Sequence, residues 1–146
     1  MKASLCNRQK GAAALEFVAV FVIFFAVFYG VVSYALPMLM LQSFNQASSE
    51  AVRRCVALDP TSKTYGADVE TLARQVLTQQ LAWMPGSLDF KASDAKVTLS
   101  PTKVLTVKID YARAKLTAVI PVLDLPVIGQ VPRLPPSLTA EASLQL

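Results

Sequence analysis

Residues 17–41 read FVAVFVIFFAVFYGVVSYALPMLML, 25 positions without one Asp, Glu, Lys or Arg. As a helix this stretch is about 37 Å long, more than the roughly 30 Å hydrocarbon core of a bilayer. Gly30 and Pro37 interrupt it, and the proline removes a backbone bond and is expected to kink the far end. Lys2, Arg8 and Lys10 precede the run, and no acid appears before Glu16. The positive-inside rule then holds the first eleven residues in the cytoplasm and sends the rest of the chain outward. A cleaved secretory signal has an apolar core of only about 7–15 residues. The expectation is a single transmembrane helix, N-terminus in.

The remaining composition agrees with a membrane-attached chain. Of 146 residues 53% are hydrophobic and 16% charged, against about 25% charged in soluble domains. There is no histidine, which removes His-based triads and His-ligated zinc. No Walker loop, Rossmann glycine set or nucleophile elbow is found. The sequence therefore suggests neither an enzyme nor a cofactor or metal. Two cysteines cannot staple a mini-protein. Cys6 precedes the span and Cys55 follows it, so the two cannot pair across the membrane. Cys55 reads as a small buried residue, an intersubunit disulfide being the alternative in an oxidising compartment.

A plain signal-anchor explains everything except Gly11 at the polar–apolar border and Glu16 just inside it. The segment Lys10-Gly11-Ala12-Ala13-Ala14-Leu15-Glu16-Phe17 resembles the processing site of type IV pilin-like proteins. Within that group it is most similar to the TadE-like minor pilins of the tight-adherence (Tad/Flp, type IVb) system. The resemblance is dense over residues 8–58 and a matter of pattern beyond them. It implies a leader, 1–11, cut by a prepilin peptidase between Gly11 and Ala12, with Glu16 as the fifth mature residue. Phe17 stands where the major Flp pilins usually carry tyrosine, which favours a minor pilin. The implied organisation is a cytoplasmic leader 1–11, a transmembrane and assembly helix 12–41, and an exported domain 42–146. Implied partners are the peptidase, other pilin subunits, the Tad assembly platform and membrane lipid, with an ATPase and an outer-membrane secretin further out. The implied place is the bacterial inner membrane, and the implied use is pilus assembly, adherence and biofilm formation.

Physical chemistry gives these residues reasons. Glycine lets a protease approach and unwind the backbone. A lone carboxylate inside the apolar boundary costs about 2.5–3.5 kcal/mol, and cleavage would create an amine on Ala12 within reach of it. By the resemblance, Glu16 pairs with a neighbouring subunit's terminal amine; snorkelling into the interface is the simpler alternative. Ala26, Gly30 and Ser33 are small enough for close helix approach, or are ordinary membrane-helix composition. Loss of the leader would remove three of 14 basic residues and lower the net charge from +4 to +1. That weakens the case for nucleic-acid binding. Arg53 with Arg54, and Arg113 with Lys115, read as solvated surface.

Past the span, residues 42–58 continue as a helix with Phe44, Ala47, Ala51, Val52 and Cys55 on one face, until Asp59-Pro60. A second helix is expected from Gly66 to Trp83, with a stripe of Val69, Leu72, Ala73, Val76, Leu77 and Gln80, stopped by Pro85-Gly86. Trp83 reads as a core or interface anchor. The period then falls to two. Val97 and Leu99 form one strand, a Ser100-Pro101-Thr102-Lys103 turn follows, and Leu105, Val107, Ile109 and Tyr111 form the next. Ala114 to Ile120 is expected as a third strand and Leu138 to Leu146 as a fourth. The fold class is α+β, an antiparallel sheet packed on helix in the pilin manner. Residues 121–136 hold five prolines yet are strongly apolar. They read as a loop folded over the sheet edge, or as an exposed subunit-contact or membrane-proximal surface in which Val127 and Ile128 would matter.

Two other functions fit the same features. One is an uncleaved, anchored binding or sensing module; the other is a secretion-system pseudopilin.

Overall fold

The computed structural model describes residues 6–125 and 129–146, and of residues 6–10 and Leu125 only the backbone. Lys2, Val127 and Ile128 lie outside the described residues. Helix α1 runs without a break from Cys6 to Cys55, 50 residues with Pro37 inside it. Its end is wound tighter, Ala57 and Leu58 donating to the carbonyls of Arg54 and Cys55 at 3.2 Å. The connection to the next helix is fixed by Asp59, whose Oδ1 accepts from the Thr61 backbone at 2.9 Å and hydroxyl at 2.7 Å. These bonds, the backbone one first, hold the Asp59 carboxyl below its ordinary range.

Helix α2, Tyr65–Gln80, buries Val69, Ala73, Val76 and Leu77, the stripe read from the sequence. It stops short of Trp83, which is 47% exposed rather than part of the core. Leu81 is the last residue of that face to be buried, and the chain then turns through 81–84 toward Pro85.

Strands β1 (Ala95–Leu99), β2 (Val104–Ala112) and β5 (Ser137–Gln145) form an antiparallel sheet in the order β1-β2-β5. The turn before β2 is as expected, Lys103 donating to the Ser100 carbonyl at 2.9 Å. In β2 the alternation is complete: Leu105, Val107, Ile109 and Tyr111 are all fully buried. Burying each such side chain contributes about 1.5–3 kcal/mol. The outer face is polar, and Lys108 lies opposite Glu141 with a charge separation of 3.7 Å. Helix α1 covers β2 and β5, while α2 lies against α1 and β1.

The segment expected as a third strand is instead a short helix, α3, Arg113–Thr117. Both edges of β2 are already taken by β1 and β5, and Ala, Arg, Lys and Leu favour helix. Leu116 is buried from α3, and Lys115 reaches Asp94 at 2.6 Å, the Asp89 carbonyl at 3.0 Å and the face of the Tyr111 ring at 5.6 Å. Arg113 donates to the Leu134 carbonyl at 2.9 Å. Neither basic residue is on a strand surface.

The proline-rich segment forms a small ribbon of β3 (Leu123–Leu125) and β4 (Gly129–Val131), paired antiparallel with Leu123 opposite Val131. Gly129 sits at φ +81°, a backbone conformation suited to glycine.

Candidate functional site

Two halves of α1 differ sharply. From Ser33 onward one face is buried: Ser33, Pro37, Met40, Phe44, Ala47, Ser48, Ala51, Val52 and Cys55 recur at helical spacing. The two buried serines turn their hydroxyls onto the helix itself, Ser33 to the Gly30 carbonyl at 3.0 Å and Ser48 to that of Phe44 at 2.8 Å. Phe44 meets Phe90 and Tyr111 at ring-centre distances of 5.8 Å. The Tyr111 hydroxyl donates to the Leu88 carbonyl at 2.5 Å, and burial, then Asp94 and Asp89, push its pKa up. The Cys55 thiol is fully buried, lies 3.5 Å from the Val69 carbonyl and is pushed up by burial. On the outer side Glu50 holds Arg54 at 2.8 Å and Arg53 at 2.9 Å, its carboxyl lowered chiefly by the Arg54 bond.

Residues 11–28 have no such partner: every one is exposed. Their phenylalanines touch only one another along the helix, Phe17 to Phe21 at 6.0 Å, Phe21 to Phe25 at 4.7 Å and Phe24 to Phe28 at 6.0 Å. An apolar surface this large is not left in water; lipid or other apolar helices must cover it. The helix is long and apolar enough to cross a membrane, and its apolar window is unburied. One N-terminal helix of this kind fits a single-pass anchor.

All four residues singled out by the sequence lie on this bare half. Gly11 and Ala12 are in regular helix, and a side-chain carbon at Gly11 would meet no neighbour within 4 Å. Among the described residues nothing therefore requires glycine there. Glu16 is the only Asp, Glu, Lys or Arg between Lys10 and Glu50. It is exposed, and no hydrogen bond or ion pair joins it to another described residue. Phe17 is 69% exposed and begins the phenylalanine ladder. The four share one helix, and among the described residues the fold brings nothing else to them.

Two residues that sequence reasoning passed over hold the ribbon. The Tyr29 hydroxyl donates to the Pro121 carbonyl, and the Tyr34 hydroxyl accepts from the Arg133 backbone at 2.7 Å. The proline-rich segment is thus fastened to the apolar helix, not only folded against the sheet. Tyrosines at the end of an apolar run are the signal that pointed there. A groove of about 420 Å³ runs beside the end of α2, lined by Leu77, Leu81, Met84 and Phe90 among others. Its charged rim residues, Arg74 and Asp89, are engaged by Glu70 at 2.9 Å and Lys91 at 3.1 Å.

The model of the family described as TadE-like protein matches residues 11–53. That match begins at Gly11, ends two residues before α1 does, and includes both the bare half and the half that builds the core. No curated protein and no solved structure matches the chain. The resemblance to TadE-like proteins read from the sequence over residues 8–58 is thus matched by the family model over residues 11–53.

Proposed function

We propose that this chain is a minor pilin of a Tad pilus system. The TadE-like match supports involvement in such a system, and that family is not an enzyme family. In this reading the chain enters the bacterial inner membrane with its N-terminus in the cytoplasm. A prepilin peptidase cuts between Gly11 and Ala12, removing the leader 1–11. Residues 12–41 first span lipid and then pack among other pilin helices, while 42–146 is displayed outside. The Tad assembly platform would draw the subunit from the membrane into a pilus serving adherence and biofilm formation.

The observation that carries this reading is the bare helix with its unpartnered carboxylate. Residues 11–28 present apolar side chains all round and one acid, Glu16, without a counter-charge among the described residues. A helix destined for lipid alone gains nothing from that acid, which costs about 2.5–3.5 kcal/mol in the bilayer. A helix destined for a filament gains a partner, because a neighbour's new amine on Ala12 would neutralise it. Peptidase cleavage would also account for glycine at a position that makes no packing demand.

The test is the N-terminal sequence of the membrane-extracted chain, from cells with and without their prepilin peptidase. A start at Ala12 that depends on the peptidase is the expected result. A start at Met1 in both would overturn the pilin pathway and leave an anchored binding or sensing module.

A further inference from the structure

Crossing a hydrocarbon core takes about 20 helical residues. Counted from Gly11, beyond which Lys10 and Arg8 are charged, the first 20 residues reach Gly30. From Ser33 the same helix is already built into the domain, which leaves the part before it for the crossing. Gly30 is also the level at which the proline-rich ribbon is fastened. Pro121 is bonded to Tyr29 and Arg133 to Tyr34, so the ribbon is tied at both ends close to Gly30, the level that this count gives for the end of the crossing. Tyrosine is itself enriched at that level, its ring in the apolar boundary and its hydroxyl among polar groups.

The ribbon's composition fits the same layer. Val119, Val122 and Leu123, which flank the Pro121 held by Tyr29, are 38–41% exposed, and on α1 Val31 and Val32 are more than half exposed. Asp124 and Gln130 are exposed on the same ribbon and suit headgroups rather than acyl chains. Unpaired backbone donors are the main cost of entering a dehydrated layer. Here the facing edges of β3 and β4 pair with each other, and Pro121, Pro132, Pro135 and Pro136 have no N–H to satisfy. The outer edges of the two strands suit the hydrated headgroup layer rather than the acyl core.

We propose that the β3–β4 ribbon is a foot that lies in the headgroup layer of the bilayer crossed by α1, with Val119, Val122 and Leu123 against lipid. The occupant of this face is a lipid surface; a second copy of the chain is the outcome the test must separate from it. The inference rests on the membrane-spanning part of the proposed function and extends it to the C-terminal half.

The experiment uses the full chain in phosphatidylcholine–phosphatidylglycerol vesicles. Single tryptophans are placed by Leu123→Trp, Val119→Trp and Phe21→Trp, each with Trp83→Phe to remove the native indole. The quenchers are lipids brominated near the carbonyl end, lipids brominated near the acyl terminus, and aqueous acrylamide. The expected result is blue-shifted emission at 119 and 123, with about half the intensity lost to the shallow bromolipid and little to acrylamide. Phe21→Trp should respond best to the deep bromolipid. If it does while 119 and 123 are quenched freely by acrylamide and not by bromolipid, the ribbon is in water and the inference fails alone. If Phe21→Trp is also untouched by bromolipid, the spanning reading fails and takes the inference with it. Shielding at 119 and 123 that vanishes when the protein is diluted in lipid would identify a second copy as the occupant and overturn the lipid assignment.

Discussion

Tyr34 and Arg133 are 99 positions apart, yet the tyrosine hydroxyl receives the arginine backbone N–H at 2.7 Å. With Tyr29 on Pro121, this bond makes α1 a support for the C-terminal half as well as a membrane element.

Tyr34→Phe removes the acceptor and nothing else. The Arg133 amide should exchange with solvent faster, together with its neighbours in 129–134, while the buried strand β2 stays protected. The bond is exposed, so global stability should fall by less than about 1 kcal/mol. Hydrogen exchange followed by mass spectrometry distinguishes this local release from general unfolding.

Glu16→Gln keeps size and removes charge. If the carboxylate serves assembly, insertion and cleavage should be normal while the variant is depleted from sheared filaments relative to the membrane pool. Quantitative blotting of the two fractions gives the ratio. Equal incorporation of wild type and Glu16→Gln would leave the acid with a purely interfacial role.

Cys55 should be nearly inert in the folded chain. Its thiol is buried and its pKa raised, so at any pH near neutrality less of it is the reactive thiolate than in a free cysteine. In a Cys6→Ser background, maleimide labelling should be slow in mild detergent and rapid in denaturant. Rapid labelling of the folded form would reopen the intersubunit disulfide.

Tyr111→Phe should cost about 1–2 kcal/mol, because the Leu88 carbonyl is buried with the hydroxyl that pairs with it. The same burial sets a pH dependence. A phenol whose pKa is raised in the folded state favours folding below the unfolded tyrosine pKa. That contribution is lost as pH rises through the folded value. Denaturation at alkaline pH should therefore be less steep in Tyr111→Phe than in the wild type, as followed by circular dichroism.

Periodicity revealed much of the fold. The stripe of Phe44, Ala47, Ala51, Val52 and Cys55 and the β2 alternation are buried where the spacing put them, as are Val69, Ala73, Val76 and Leu77 of the α2 stripe, whose Leu72 and Gln80 are half-buried. Residues 114–120 misled because Ala114, Leu116, Ala118 and Ile120 alternate as a strand would. What excluded a strand was not local: β1 and β5 fill both sides of β2. Of the two readings of Trp83, core anchor fails because α2 ends three residues before it and leaves the ring 47% exposed. Gly11 and Glu16 were legible because each stands out against an apolar run. Tyr29 and Tyr34 were not, since their partners are 92 and 99 positions away and are backbone groups that no side-chain pattern marks.

The absence of any break in α1 has a mechanical meaning. Its 50 residues make a rod of about 75 Å, bare at one end and built into the sheet's core at the other. Pro37 is buried within the rod, so the likeliest place for a joint is clamped by the domain itself. A pull on the bare end is delivered to the sheet through one continuous helix, and the domain travels with it as a piston head travels with its shaft.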